Sequence, residues 1–213
     1  MLHNGPPLIL ASASPRREVL LRRLGLPFTV ITSGASEEAD PGVDPAALVR
    51  LLARRKAEAV AAILDGGIVI GADTAVVLGD VVLGKPADAA DARRMLRLLR
   101  GKRHRVISGV AVVDAADGRA AVSAVSTDVV MAAYSDAQID AYVMSGEPMD
   151  KAGAYAIQGL GGALVAGIDG CYNNVVGLPL CEVAALLAGF GIVPQSADPV
   201  CALPDGRPCP RLR

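Results

Sequence analysis

Two arginines, Arg16 and Arg17, follow Ser14 and Pro15 where the sequence predicts the first turn of a helix, a place at which the helix dipole already concentrates partial positive charge and acidic side chains would be the stabilising choice. Both could splay into solvent at a cost of ~0.3 to 1 kcal/mol each. The alternative gives them work: an anion held by free backbone N–H groups, the hydroxyls of Ser12 and Ser14, and at least one guanidinium. Lys56 is a second anomaly, because it falls on the stripe Val49, Leu52, Ala53, Val60 and Ile63 of a predicted amphipathic helix rather than on its polar face. It is either a lysine that snorkels from the edge of the core or an ammonium placed for a ligand. Only four of the 21 cationic residues are lysines, Lys56, Lys85, Lys102 and Lys151, so lysine is the exception in a chain that makes its positive charge with arginine. The third anomaly is Gly71-Ala72-Asp73-Thr74, which breaks an apolar run between Ile70 and Val76. A carboxylate there must be paired, bound to metal, or set at a strand end facing a cleft, unless the segment is simply an Asx-type turn. Gly84-Lys85-Pro86, at the far end of the adjoining hairpin strand, could bring a second ammonium to Asp73. Carboxylate, lysines and a helix-terminal anion site together suit phosphoryl or nucleotidyl chemistry.

Other chemistries lack their residues. The sequence contains no GxxxxGKS/T, no GxGxxG after a strand, no HExxH and no GxSxG, and Gly159-Leu160-Gly161-Gly162 reads as a flexible loop near the site. With His3 and His104 as its two histidines, the chain is poorly equipped for His catalysis or a His metal cluster, and His104 is expected to flank a strand. Cys171, Cys181, Cys201 and Cys209 have no CxxC spacing; spacing suggests neither zinc nor a redox pair, and they read as reduced structural thiols. Aromatics make up 3% of the residues, there is no Trp, and the net charge is −1, which argues against binding a nucleic-acid polymer but leaves room for a small anion. No apolar run reaches the ~18 residues of a membrane span and the N-terminus has no export pattern, so no membrane partner and a cytoplasmic location are expected.

The elements that must position these residues alternate between strand and helix. Short strands are expected at 8–11 and 28–32. A helix capped by Ser14 should run to about Gly25, and a second, opened by Asp44-Pro45, should end near Asp65 to Gly67. Further strands fit 68–70, 75–78 and 81–83, the last two joined by a Gly79-Asp80 hairpin. A helix over 88–100 stops at Gly101; long strands over 105–113 and 121–131 form a second hairpin. Ser135 and Gln138 make a capping box, and a strand over 163–168 and a helix over 178–189 close the pattern. An apolar fraction of 52% in 213 residues supports one α/β domain over 1–193, with 194–213 a flexible tail.

Seven segments then resemble the Maf family in order: Leu10 to Arg17 (LASASPRR), Gly71 to Thr74 (GADT), Gly84 to Pro86 (GKP), Ser145 to Pro148 (SGEP), Asp150 to Tyr155 (DKAGAY), Ile157 to Gly159 (IQG) and Val176 to Leu180 (VGLPL). The resemblance spans roughly residues 8–190 and implies a Maf/ITPase-like mixed β-sheet flanked by helices with a central cleft. It also implies a homodimer that hydrolyses nucleoside triphosphates with a divalent cation, magnesium or manganese, and an older association of the family with septum formation. By resemblance Asp73 is the proton acceptor. Arg16, Thr74 and Gln158 match positions that influence substrate choice, and Lys56 and Lys85 the lysines at the triphosphate; Ser12 stays a substrate-binding candidate through the anion site at the helix start. Asp150 to Tyr155 followed by Gln158 looks like the branch acting on dTTP and UTP rather than the one preferring 7-methyl-GTP. A nucleotide-sensing protein that regulates division is the reading from another class. One loop departs from the family pattern: where an Asp-Glu pair is usual, this chain has Ala35-Ser36-Glu37-Glu38, so the expected metal ligands are Asp73 with Glu37 and Glu38.

Overall fold

The computed structural model describes residues 5–36, 42–194, 201 and 209. Strands β1 (Leu8–Leu10), β2 (Thr29–Val30), β3 (Ile68–Leu78), β4 (Val81–Leu83), β5 (Arg103–Asp114), β6 (Ala120–Met131) and β7 (Val165–Asp169) form a seven-stranded mixed sheet. Their order is β2-β1-β3-β5-β6-β7, with β4 attached to β3. β1 runs parallel to both β2 and β3, and every other pairing is antiparallel.

The edges of β3 differ. β5 pairs with it continuously from Ile68 to Val77. On the opposite edge β1 pairs with Ile68, Val69 and Ile70, and β4 with Val76, Val77 and Leu78, so residues 71–75 have no strand beside them there. The expected break at Gly71 to Thr74 is therefore not a turn: the strand runs straight through, and it is the neighbouring strand that is interrupted.

Side-chain alternation along β3 feeds two apolar layers. Helix α2 (Pro45–Ala61), capped by the Asp44 carboxylate on the Ala47 amide, covers one face with Val49, Leu52, Ala53, Ala57 and Val60. It lies close because glycine permits it: a Cβ on Gly71 would sit 2.1 Å from the Ala53 carbonyl oxygen, and one on Gly109 2.1 Å from that of Val49. The helix ends earlier than expected, and Ile63, past its last turn, is 72% exposed instead of completing the stripe. On the other face, α1 (Pro15–Arg22) and α6 (Leu180–Ala188) pack on Ile68, Ile70 and Ala72, while α3 (Ala89–Leu99) and α4 (Asp136–Met144) pack on Val76, Val106 and Val129. Each fully buried Leu or Val adds about 1.5 to 3 kcal/mol of driving force.

A short helix, α5 (Tyr172–Val176), is not evident in the sequence. Gly159 to Gly162, expected as a flexible loop, belongs to a 3₁₀ turn, Gly159–Leu164, whose Leu160 and Gly161 amides donate to the Glu147 carboxylate. Burial opposes ionisation of Glu147, but those amides and the Tyr142 hydroxyl outweigh it and hold the carboxyl below its ordinary value. Of the expected tail, all but Val193's neighbour Pro194, Cys201 and Cys209 lies outside the described residues; both cysteines are buried against Cys171.

Candidate functional site

The interrupted edge of β3 opens into a cleft of about 600 Å³. Asp73 lies at its middle, opposite Gly109 in the β5 register. Because α2 is drawn onto the sheet at Gly71 and Gly109, Lys56 reaches across and its Nζ donates to Asp73 Oδ1 at 2.7 Å. Both side chains are mostly covered, 12% and 16% exposed, yet both line the cleft. Lys56 thus neither snorkels to bulk solvent nor sits idle in the core.

Thr74 projects to the other face. Its hydroxyl shares a hydrogen bond with Ser108 Oγ at 2.9 Å, and Ser108 donates to the carbonyl of Asn174. Asn174 in turn donates to Val106 O and Thr127 Oγ1, each at 2.9 Å. This polar seam separates the apolar cluster under α1 and α6 from the one under α3 and α4. The cleft follows the boundary because two apolar layers cannot merge across a hydrogen-bonded row of buried polar groups.

The two arginines of α1 part company. Arg17 turns inward and donates to the carbonyls of Gly177 and Ala72, each at 2.9 Å, and to the hydroxyls of Ser12 and Thr74. Its guanidinium satisfies β3 where the neighbouring strand is missing. Arg16 faces the cleft mouth and pairs with Asp150 at 3.1 Å. Partial burial opposes ionisation of Asp150, but hydrogen bonds from Lys151 and Arg16 outweigh it and keep its carboxyl below the usual value. Ser12 also accepts from the Ser14 amide, so the first turn of α1, its two nearby hydroxyls and its guanidinium groups do converge on the cleft.

Lys85, carried on the loop after β4, and Gln158, just before the 3₁₀ turn, line the same cavity. Ser12, Arg16, Lys56, Asp73, Thr74, Lys85 and Gln158 are thereby brought together, whereas Glu37 and Glu38 lie outside the described residues. Arg17, Asp150 and Lys151 join the wall as well; the sequence signalled an arginine at the helix start but could not say which of two consecutive ones would turn in. Five cationic side chains against two carboxylates, Asp73 and Asp150, give the described lining a net +3 in a chain whose overall charge is −1. Such a concentration of positive charge in a concave site favours a polyanion.

A family model for Maf-like protein matches residues 7–190. The chain belongs to the Maf-like family. Three relatives are each named dTTP/UTP pyrophosphatase. That of Pelotomaculum thermopropionicum is 51% identical over 184 residues, 86% of this chain and 96% of its own length. That of Moorella thermoacetica is 55% identical over 185 residues, 87% and 95% of the two chains. That of Anaeromyxobacter dehalogenans is 54% identical over 189 residues, again 87% and 95%. The Maf-like match takes in every element that lines the cleft and stops before Cys201 and Cys209.

Proposed function

We propose that this Maf-like chain is a nucleoside triphosphate pyrophosphatase that hydrolyses dTTP and UTP to the monophosphate and pyrophosphate. The observation that carries the reading is a carboxylate, Asp73, held by Lys56 at a gap in the sheet edge inside a cleft of net positive charge. The names of relatives that match almost their whole length support it.

Water attacks the α-phosphorus; the bond between that phosphorus and the bridging oxygen to the β-phosphate breaks, and Asp73 accepts the proton of the attacking water. Lys56 orients the carboxylate through Oδ1, and it is close enough to the cavity to meet a phosphate. Arg16 and Lys85 take up charge on the triphosphate and on the leaving pyrophosphate, which lowers the barrier where negative charge accumulates. Arg17 holds Ser12, Ala72 and Thr74 in place beneath them. Gln158 offers an amide donor and acceptor to a pyrimidine edge.

A hard divalent cation fits the oxygen donors here: Lys56 engages one carboxylate oxygen of Asp73, and magnesium needs few protein ligands beside phosphate oxygens and water. Asp73, with Glu37 and Glu38, would hold it, and it would neutralise phosphate charge and polarise the phosphoryl oxygen. The family resemblance supports a homodimer, and the nucleotide substrate supports action in the cytoplasm. Among the described residues no helix is long and apolar enough to cross a membrane.

The test is pyrophosphate release from dTTP, UTP, CTP, 7-methyl-GTP and the purine triphosphates, with and without Mg²⁺. Metal-dependent release favouring dTTP and UTP is expected, and Gln158→Ala should shift the preference among bases by about tenfold. Preference for 7-methyl-GTP would reassign the branch. Binding without release from any triphosphate would make the cleft a sensor.

A further inference from the structure

The strongest feature outside the cleft lies at the opposite end of α5. Among the described residues, the one group of three or more His, Cys, Asp or Glu side chains close enough to share an ion is Cys171, Cys201 and Cys209, whose sulfurs all lie within 4.8 Å of one another. Cys171 Sγ and Cys201 Sγ are 3.4 Å apart. All three are buried, at 1%, 0% and 1% exposure, and none is in a disulfide. Cys181, in the first turn of α6, packs on the same cluster. Every cysteine in the chain is therefore at one place, although the intervals between them carry no metal-binding signature.

We propose that these four cysteines form a structural zinc site, a tetrathiolate that clips the segment carrying Cys201 and Cys209 onto the start of α5 and α6. The spacing of three of them is right for it. A tetrahedral ion with Zn–S bonds of about 2.3 Å sets its sulfurs about 3.8 Å apart; Cys171 and Cys201 stand at 3.4 Å and the sulfurs of Cys171, Cys201 and Cys209 lie within 4.8 Å of one another, while Cys181, packed against that cluster, is the fourth ligand once its side chain turns in. The donor set is right as well, because four soft sulfurs in an apolar pocket select zinc over magnesium or calcium. Asn173 Nδ2 donates to Cys201 Sγ at 3.3 Å, and Asn173 Oδ1 accepts from Arg23 at 3.4 Å, so a cation is relayed through an amide to a sulfur. That is what a thiolate needs and a neutral thiol does not. On binding, Zn²⁺ displaces one proton from each thiol; four Zn–S bonds form, four S–H bonds break, and the centre carries two negative charges. Nothing in it draws on the hydrolytic cleft, so its fate is separable from that of the proposed activity. Two of its ligands, Cys201 and Cys209, lie beyond the stretch matched by the family model, which stops at residue 190.

The full chain, purified under reducing conditions without chelator, should hold about one zinc by elemental mass spectrometry. Exchange into cobalt should give the intense visible bands of a tetrahedral centre together with thiolate-to-cobalt charge transfer. Cys209→Ser, and Cys171→Ser with Cys201→Ser, should each bind the metal at least about tenfold more weakly. The proposal is overturned if the wild-type chain lacks zinc and gives no thiolate spectrum with cobalt, or if the reduced preparation carries a Cys171–Cys201 disulfide instead. It also fails if the cysteine variants keep the metal. The cobalt spectrum is read on the wild-type protein, so a variant that does not fold leaves the test intact.

Discussion

Asp73 and His104 lie on neighbouring strands, Asp73 inside an apolar run and His104 between Arg103 and Arg105, and the fold treats them in opposite ways. Asp73 stands where β3 has lost its neighbour on one edge; it meets an ammonium at 2.7 Å and remains open to the cleft. His104, one residue beyond the β3 ladder and paired with Val129 of β6, is 2% exposed, shares a hydrogen bond through Nε2 with the Tyr155 hydroxyl at 2.7 Å, and meets that ring edge-on. One polar group is paired with an ammonium and reachable, the other neutral and enclosed. The difference lies in what covers each side chain, since Asp73 lines the cleft whereas His104 is closed over by Tyr155 and the apolar layer to which that ring belongs.

The comparison is broken most forcefully at Asp73. Asp73→Asn keeps the shape and can still accept from Lys56, but cannot take a proton from water. Pyrophosphate release should fall about 10²- to 10⁴-fold, while stability falls by about 1 to 3 kcal/mol, because the mostly covered Lys56 ammonium keeps an amide oxygen but loses its counter-charge. Turnover within a few-fold of wild type would remove Asp73 from the role of proton acceptor.

A change that never touches the cleft should reach the same pair by another route. Gly71→Ala drives a Cβ to 2.1 Å from the Ala53 carbonyl oxygen, a backbone atom that cannot step aside without moving α2. We expect a loss of about 3 kcal/mol in stability, accompanied by reduced activity because Lys56 rides on the displaced helix. Urea unfolding and turnover measured on one preparation separate the two variants: the folded fraction of Asp73→Asn stays inactive, whereas the activity lost by Gly71→Ala follows its loss of stability. A Gly71→Ala protein as stable as wild type would show that the close approach of α2 is not needed.

Much of this arrangement was legible in the residues, and the omissions share a cause. Lys56 on an apolar stripe, Asp73 in an apolar run and arginines at a helix start are local contradictions, visible without a partner in view; each proved to line the cleft. What one segment cannot show is the state of the segment beside it. The strand through Asp73 looked broken because the sequence records a charged residue but not the gap between β1 and β4 that accommodates it. The choice between Arg16 and Arg17 depended on Ala72, Thr74 and Gly177, all distant along the chain. The cysteines gave no signal for the same reason, since they are brought together by Cys201 and Cys209 packing on Cys171, just before α5, and on Cys181, in α6, not by spacing. Glu37 and Glu38 lie outside the described residues, and their part rests on the family resemblance.

The enclosed member of the comparison should announce itself through pH. Burial pushes the His104 imidazole down from 6.5 to about 4, with the Asp128 carboxylate only partly opposing, and Nδ1 has no hydrogen-bond partner among the described residues. Its folded value is depressed, so above 6.5 it is neutral in both states and affects stability no differently with pH. Below 6.5 the unfolded chain takes up a proton that the folded chain refuses, and stability falls as pH drops until the folded imidazole titrates near 4. At pH 5 the loss relative to pH 8 from this residue amounts to about 2 kcal/mol. Urea unfolding of wild type and His104→Gln across that range isolates it, because the variant keeps every other titrating group; its curve should be flatter below pH 6.5 whatever its absolute stability. Parallel curves would mean that the imidazole is protonated within the fold, and that the cover over His104 admits charge as readily as the cleft around Asp73.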